Sequence, residues 1–177
     1  DFASVPIVNA INSQTGAIIT PSAVTYTNAT TLVATFSIST KTSYYIRVEN
    51  ATGLAGRSSS AVLTVSDAPT WTTSAGSIGT VGAGTTVDLT AIGTSDSTVS
   101  VSETTSVLTN NSDTPASTMN LTLNSSNGNI TGTAPSPSSS TTYNFTLRLT
   151  DAESQTADRS FSITVIAGIS EGAQFIP

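Results

Sequence analysis

Apolar and polar residues alternate with a period of two along most of this chain, and no stretch sustains a helical spacing. Over 31–39, Leu32, Ala34, Phe36 and Ile38 fall on one side, with Val33, Thr35 and Ser37 on the other. Over 43–49, Tyr44, Ile46 and Val48 oppose Tyr45, Arg47 and Glu49, and over 60–65 Ala61, Leu63 and Val65 share a face. The longest run is 141–150. There Tyr143, Phe145, Leu147 and Leu149 point to a core, while Asn144, Thr146, Arg148 and Thr150 point to water. Its expected partner is 159–165, with Phe161, Ile163 and Val165 inward. Alternation of this kind predicts antiparallel strands with one solvated face, hence an all-β chain built as β-sandwiches. Thr and Ser suit the wet face because Thr favours extended backbone and both hydroxyls hydrate without charge.

Turn chemistry agrees with this reading. Ser126-Asn127-Gly128-Asn129 predicts a type I′ hairpin between 119–125 and 130–133, with Asn127 and Gly128 both at positive φ. The stretches 49–54 and 150–155 read as longer polar connections between paired strands. Pro135 and Pro137 make 135–140 a loop, since neither can donate to a ladder. Near Ser66-Asp67-Ala68-Pro69-Thr70 a strand ends and Pro69 stops pairing, so the expected organisation is a first domain over 1–67 and a linker over 68–70. A second domain follows over 71–167, with a tail or further linker over 168–177. The second span has the length of a seven-strand sandwich. The first is short by about two strands on the same measure, which suggests that Asp1 lies inside that domain, its opening strands upstream. Trp71 is expected to pack at the joint or under the first strand of the second domain.

Composition narrows the chemistry sharply. Ser and Thr make up 63 of the 177 residues, and there is no Cys and no His. Disulfides, thiolate nucleophiles, Cys/His zinc sites, Ser-His-Asp triads and a histidine base are therefore excluded. Lys+Arg 5 against Asp+Glu 11 leaves a net charge of −6, too few cations to neutralise a nucleic-acid backbone. A mean hydropathy of +0.11 with 9% charged residues supports a folded core rather than disorder. No apolar run approaches the length of a membrane-spanning helix. No catalytic, cofactor-binding or metal-binding residue is assigned, and the chain is read as not an enzyme.

Several groups still need a reading. Asp151 and Glu153 share one loop, Asp158 lies near the next strand, and Asp96 and Asp113 lie in other loops. Calcium needs six to eight oxygens from several carboxylates, and with Asp67 the sole acid at the joint the expected role is that of solvated turn residues. No spacing among the eleven acids selects a glycosidase pair. Asn28, Asn50, Asn110, Asn120, Asn124, Asn129 and Asn144 each stand in an N-x-S/T sequence. With so many hydroxyl residues, about four of these would arise by chance. Arg148 and Arg159 would form at most a small patch; Lys41, Arg47 and Arg57 complete the cations. Of Tyr44 and Tyr45, one ring is expected in the core and the other outward, where Tyr45 could meet a partner or stack on a sugar.

Two family resemblances emerge from these segments. Ile18-Ile19-Thr20-Pro21-Ser22, the 31–38 strand, Tyr45-Ile46-Arg47-Val48-Glu49-Asn50 and Gly53-Leu54-Ala55 resemble the later half of an IPT/TIG-type domain, whose final strands are joined by a turn like Val48, Asn50, Gly53 and Ser58. Leu121-Thr122-Leu123-Asn124 through Gly128, Ile130 and Gly132-Thr133, then Tyr143 to Leu147 with Asp151, and Arg159 to Val165, are similar to the Putative-Ig, cadherin-like repeat. Both imply immunoglobulin-like folds, so the expected fold class is two tandem immunoglobulin-like β-sandwiches, the first truncated at its N-terminus. Trp71 to Thr80 and the Ser/Thr-rich strands are also similar to modules in virion proteins of marine T4-like tailed phages. That resemblance implies a structural module of a fibre, tail or capsid decoration in an extracellular particle. Its partners would be copies of itself or other virion proteins, with no nucleic acid and no membrane. The alternative is a cell-surface adhesin or carbohydrate-binding accessory module, touching host surface glycans through loops 50–56 or 134–140. A fold of this kind hosts many functions.

Overall fold

The computed structural model describes residues 5–109 and 118–168, and these contain strands, turns and loops but no helix. None of it is therefore a helix long and apolar enough to cross a membrane. The chain divides into two compact units, Asp1–Asp67 and Ala68–Pro177.

The first unit contains β1 (Ile7–Asn12), β2 (Ile18–Ile19), β3 (Ala23–Asn28), β4 (Thr31–Thr35), β5 (Thr42–Glu49), β6 (Ala55–Arg57) and β7 (Leu63–Val65). β5 is the centre of a five-stranded antiparallel sheet. β1 runs along one side of it, from Ile7↔Glu49 to Asn12↔Tyr44, and β6 and β7 divide the other side. β3 and β4 form a separate hairpin. Val8, Ala10 and Tyr44 are buried, and the Tyr44 hydroxyl donates to the Thr40 carbonyl at 2.8 Å, so the ring is inside without an orphaned polar atom. The strand expected over 31–39 stops at Thr35. Its partner β3 begins only after Pro21, whose nitrogen cannot donate, and the Ser22 N–H closes the ladder on the Thr35 carbonyl at 2.7 Å. Phe36 and Ile38 thus leave the strand.

The second unit contains β8 (Thr70–Trp71), β9 (Gly76–Gly82), β10 (Thr86–Thr90), β11 (Gly93–Thr94), β12 (Ser100–Glu103), β13 (Thr122–Leu123), β14 (Asn129–Thr133), β15 (Thr141–Thr150) and β16 (Thr156–Ile166). A four-stranded sheet, ordered β12-β15-β16-β9, faces a three-stranded sheet, ordered β10-β14-β13, with a short β8–β11 ladder beside them. β15 and β16 hold ten residues in antiparallel register, Thr141↔Val165 to Thr150↔Thr156. β9 instead runs parallel to β16. This is an immunoglobulin-like sandwich.

The core follows the alternation. Tyr143, Phe145, Leu147 and Leu149 from β15, with Phe161, Ile163 and Val165 from β16, pack with Val87 and Ile130 of the facing sheet and with Leu121 just before β13. Trp71 belongs to this unit's core. Its ring meets Phe161 edge-on at 5.1 Å and its Nε1 donates to the Ala157 carbonyl at 3.0 Å.

The hairpin at Asn127-Gly128 forms, but not as the type I′ turn expected. Leu123 pairs with Ile130 and the Asn124 N–H reaches the Asn129 carbonyl, leaving a four-residue loop in which Gly128 takes φ +69°. Asn127 keeps negative φ because side chains supply the local turns. Asn124 Oδ1 accepts from the Ser126 N–H and Asn127 Oδ1 from the Asn129 N–H.

Two buried side-chain atoms of the described residues, Asn129 Oδ1 and the Tyr143 hydroxyl, break the pattern of satisfaction. The Tyr143 hydroxyl is enclosed without a hydrogen-bond partner, and burial pushes its phenol pKa up. An orphaned hydroxyl costs about 1–3 kcal/mol in desolvation that no bond returns. Tyr143→Phe is therefore expected to leave the melting temperature unchanged or raise it; a loss of more than about 1 kcal/mol in urea titration would mean the hydroxyl is satisfied after all.

Candidate functional site

The polar side chains divide into those that build turns and those left facing solvent. Asp151 is buried, and its Oδ1 accepts from the backbone N–H groups of Glu153 at 3.1 Å and Gln155 at 2.8 Å. Glu153 accepts from the Ser97 hydroxyl at 2.6 Å, and that hydroxyl accepts in turn from the Ala152 N–H. These acids are spent on tying the 95–97 and 151–155 loops together. Among the described residues, no group of three or more acids is placed to hold a metal ion. Asp113 lies outside the described residues.

Asp158 pairs with Arg148 across β15 and β16 through two bonds of 2.7 Å, and this guanidinium holds the carboxyl below its usual range. The small Arg148/Arg159 patch does not form. Arg159 stands opposite Leu147, on the other face from Arg148, and donates to the Thr73 carbonyl at 2.7 Å. In the first unit Arg47 pairs with Glu49, Lys41 pairs with Asp67, and the Arg57 guanidinium lies 4.2 Å above the Tyr45 ring. Tyr44 is inside and Tyr45 outside. One face of the Tyr45 ring is thereby covered by a cation.

The N-x-S/T asparagines separate in the same way. Asn28 Oδ1 accepts from the Thr30 N–H and hydroxyl, both at 3.0 Å. Asn50 Oδ1 accepts from the Thr52 N–H and hydroxyl and from the Leu54 N–H. These two, like Asn124, serve as turn acceptors, which accounts for much of the surplus over chance. Asn129 has its Oδ1 buried without a partner, Asn120 and Asn144 are exposed, and Asn110 lies outside the described residues. The 50–56 loop is braced by Asn50, and Leu54, 75% exposed, stands at the base of its turn, where its carbonyl accepts from the Asn50 N–H at 3.0 Å.

Glu103 was not singled out by sequence. Its carboxylate accepts from the N–H groups of Val107 at 2.6 Å, Leu108 at 2.8 Å and Thr109 at 3.0 Å, and from the Thr105 and Thr109 hydroxyls, both at 2.9 Å. Partial burial alone would raise its pKa; the three backbone donors and the Thr105 hydroxyl outweigh it, and the net shift is downward from 4.5. The bonds curl 104–109 over the sheet edge and seat Leu108 in the core. Because the native pKa is the lower one, Glu103 stabilises the fold fully above the ordinary carboxylate value near 4.5 and loses that contribution as pH falls through the depressed value. Glu103→Gln, with one acceptor oxygen instead of two, is expected to cost about 1–2 kcal/mol at neutral pH, the low part of the range because water replaces part of the loss. It should also flatten the acid limb of a stability-versus-pH curve; an unchanged limb would contradict the assignment.

Both units also carry open depressions. In the first unit, Val8, Ile46 and Val48 of the sheet and Leu32, Ala34 and Phe36 beneath the hairpin line an apolar cleft of about 340 Å³. In the second, a groove of about 410 Å³ crosses the solvent face of the four-stranded sheet beside Thr105, Asn144, Thr146, Ser160 and Ser162.

Comparison with known proteins supports the sandwich reading. The profile of the family described as Putative Ig domain matches residues 68–166, more than half of the chain. Among solved structures, Drosophila OTK, extracellular domains 3–5, aligns over 90% of this chain and 51% of its own, at 13% identity with a TM-score of 0.50. That likeness speaks to fold alone. A chimeric titin Z1Z2-Z1Z2 tandem aligns at 20% identity over 92% of this chain and 85% of its own, TM-score 0.41. Sidekick-1 immunoglobulin domains 1–4 align at 18% over 92% and 44%, TM-score 0.39. No curated protein matches the chain.

Proposed function

The chain belongs to the Putative Ig domain family, and from that premise we propose that it is a non-enzymatic spacer, a mechanical module of a virion fibre, tail or capsid decoration. Ig-like domain families are generally non-enzymatic, and a chain without Cys or His lacks the commonest nucleophiles and bases.

One observation carries the proposal. In the second unit the first long strand and the last, β9 and β16, lie side by side and parallel, from Phe161↔Gly76 to Ile166↔Gly82, extended by the Ala83 N–H to the Ile166 carbonyl at 2.9 Å. Tension entering at the N-terminal end of β9 and leaving at the C-terminal end of β16 slides the two strands past each other. All the ladder bonds then share the load, whereas an antiparallel pair pulled at one end opens bond by bond. A neutral hydroxyl surface keeps such a bead soluble, and many weak contacts along a multicopy particle would add up through avidity.

The reading is tested by immunogold labelling of purified particles with antibody raised against the chain. Label on tail, fibre or capsid is expected; label confined to a cell envelope would reject the virion assignment.

A further inference from the structure

The solvent face of β15 and β16 is a ladder of paired polar side chains. Thr142 and Thr164 share a hydroxyl bond of 3.0 Å, Thr146 and Ser160 one of 3.3 Å, and Arg148 and Asp158 neutralise each other. Between the first two rungs sits Asn144↔Ser162, whose side chains bond neither each other nor any other described group. That rung lies in the 410 Å³ groove. Thr105 forms one wall and is fixed in place, its hydroxyl donating to Glu103 and accepting from the Thr146 N–H at 3.1 Å. Ala75 and Gly76 form the other wall. Phe145 and Phe161 turn their rings into the core, so the floor is backbone.

From this arrangement we infer that the groove is a binding site for a neutral oligosaccharide, which goes beyond the spacer reading and does not depend on it. The volume is within the range of small-ligand sites, about 300–1,000 Å³. Among the described residues no charged one lines it, and no exposed aromatic or large aliphatic side chain offers the anchor that a protein partner needs. What it offers is an amide and hydroxyls, each donor and acceptor at once, at the cross-strand and i, i+2 spacings of a rigid sheet. Vicinal sugar hydroxyls have the same dual character and no charge. Without an aromatic platform the affinity is set by hydrogen bonds against water, so the dissociation constant is millimolar.

The test is an amide-detected NMR titration of the full chain with maltotriose, cellotriose and, as a charged probe, trigalacturonate. Saturable shifts from one of the neutral sugars at 144–146 and 160–162 and at the Asn144 side-chain amide are expected. The double variant Asn144→Ala/Ser162→Ala, both outward on their strands, should weaken binding at least tenfold with an unaltered melting temperature. Absence of saturable shifts with both neutral sugars, shifts confined to 50–56 or 134–140, tighter binding of trigalacturonate, or binding unchanged in the double variant would overturn the inference.

Discussion

Gly128→Ala is expected to cost the second unit about 3–5 kcal/mol, among the largest losses a single methyl can produce. A Cβ at Gly128 would stand 1.9 Å from the Ala91 carbonyl oxygen and 3.0 Å from its carbon, and backbone atoms cannot rotate aside as a side chain would. That backbone is also pinned, because the Ala91 N–H donates to the Gly128 carbonyl at 3.0 Å and the Gly128 N–H donates to the Asn124 carbonyl at 2.9 Å. The left-handed φ of +69° adds about 1–2 kcal/mol for any residue with a Cβ. Urea unfolding followed by Trp71 fluorescence reports this unit specifically, since Trp71 is the sole tryptophan and is buried there. Gly76→Ala is the control. It lies in the same unit and has φ +95° but nothing within 4 Å of the new methyl, so only the conformational cost of about 1–2 kcal/mol should appear. Equal losses at the two positions would mean that the Ala91 contact is not close.

Phe161→Ala is expected to destabilise the same unit by about 3–5 kcal/mol. The ring is 1% exposed and stands between Trp71, edge-on at 5.1 Å, and Phe145 at 6.2 Å. Its strand is the one that pairs with both β15 and β9, so the sheet around the cavity cannot collapse without disturbing two ladders. Calorimetry should show a lowered melting temperature, and the Trp71 emission should shift red as its partner ring is lost. A loss below about 2 kcal/mol would indicate that the core refills, and that Phe161 is not its keystone.

What sequence revealed of this molecule depended on strand length. β15 and β16 are long enough for Tyr143-Phe145-Leu147-Leu149 and Phe161-Ile163-Val165 to declare a buried face, and both the strands and their antiparallel pairing were legible. β2, of two residues, and β6, the exposed Ala55-Gly56-Arg57, are below what a period of two can signal; hydrogen bonding to β1 and β5 makes them strands. Partner choice was invisible as well. Nothing in the alternation of Gly76–Gly82 says that it lies parallel to the last strand.

The sites divide along the same line. The turn roles of Asp151 and Glu153 were legible from their place in a polar loop, but Asp151 is buried rather than solvated as expected. Glu103 was not, because its principal donors are the N–H groups of 107–109, which any residues there would supply. The Asn144–Ser162 rung exists only through register, and a slip of one residue between the strands would turn one of the two side chains to the core face.

The spacer account is tested most directly by single-molecule stretching of the full chain from its two ends, compared with the same chain held by handles at Ser140 and Ala167, which flank Thr141↔Val165 and peel β15 from β16. The account predicts that the second unit yields in one sharp event, at a clearly higher force when pulled end to end. Equal forces in the two geometries, or gradual extension without a rupture, would contradict it.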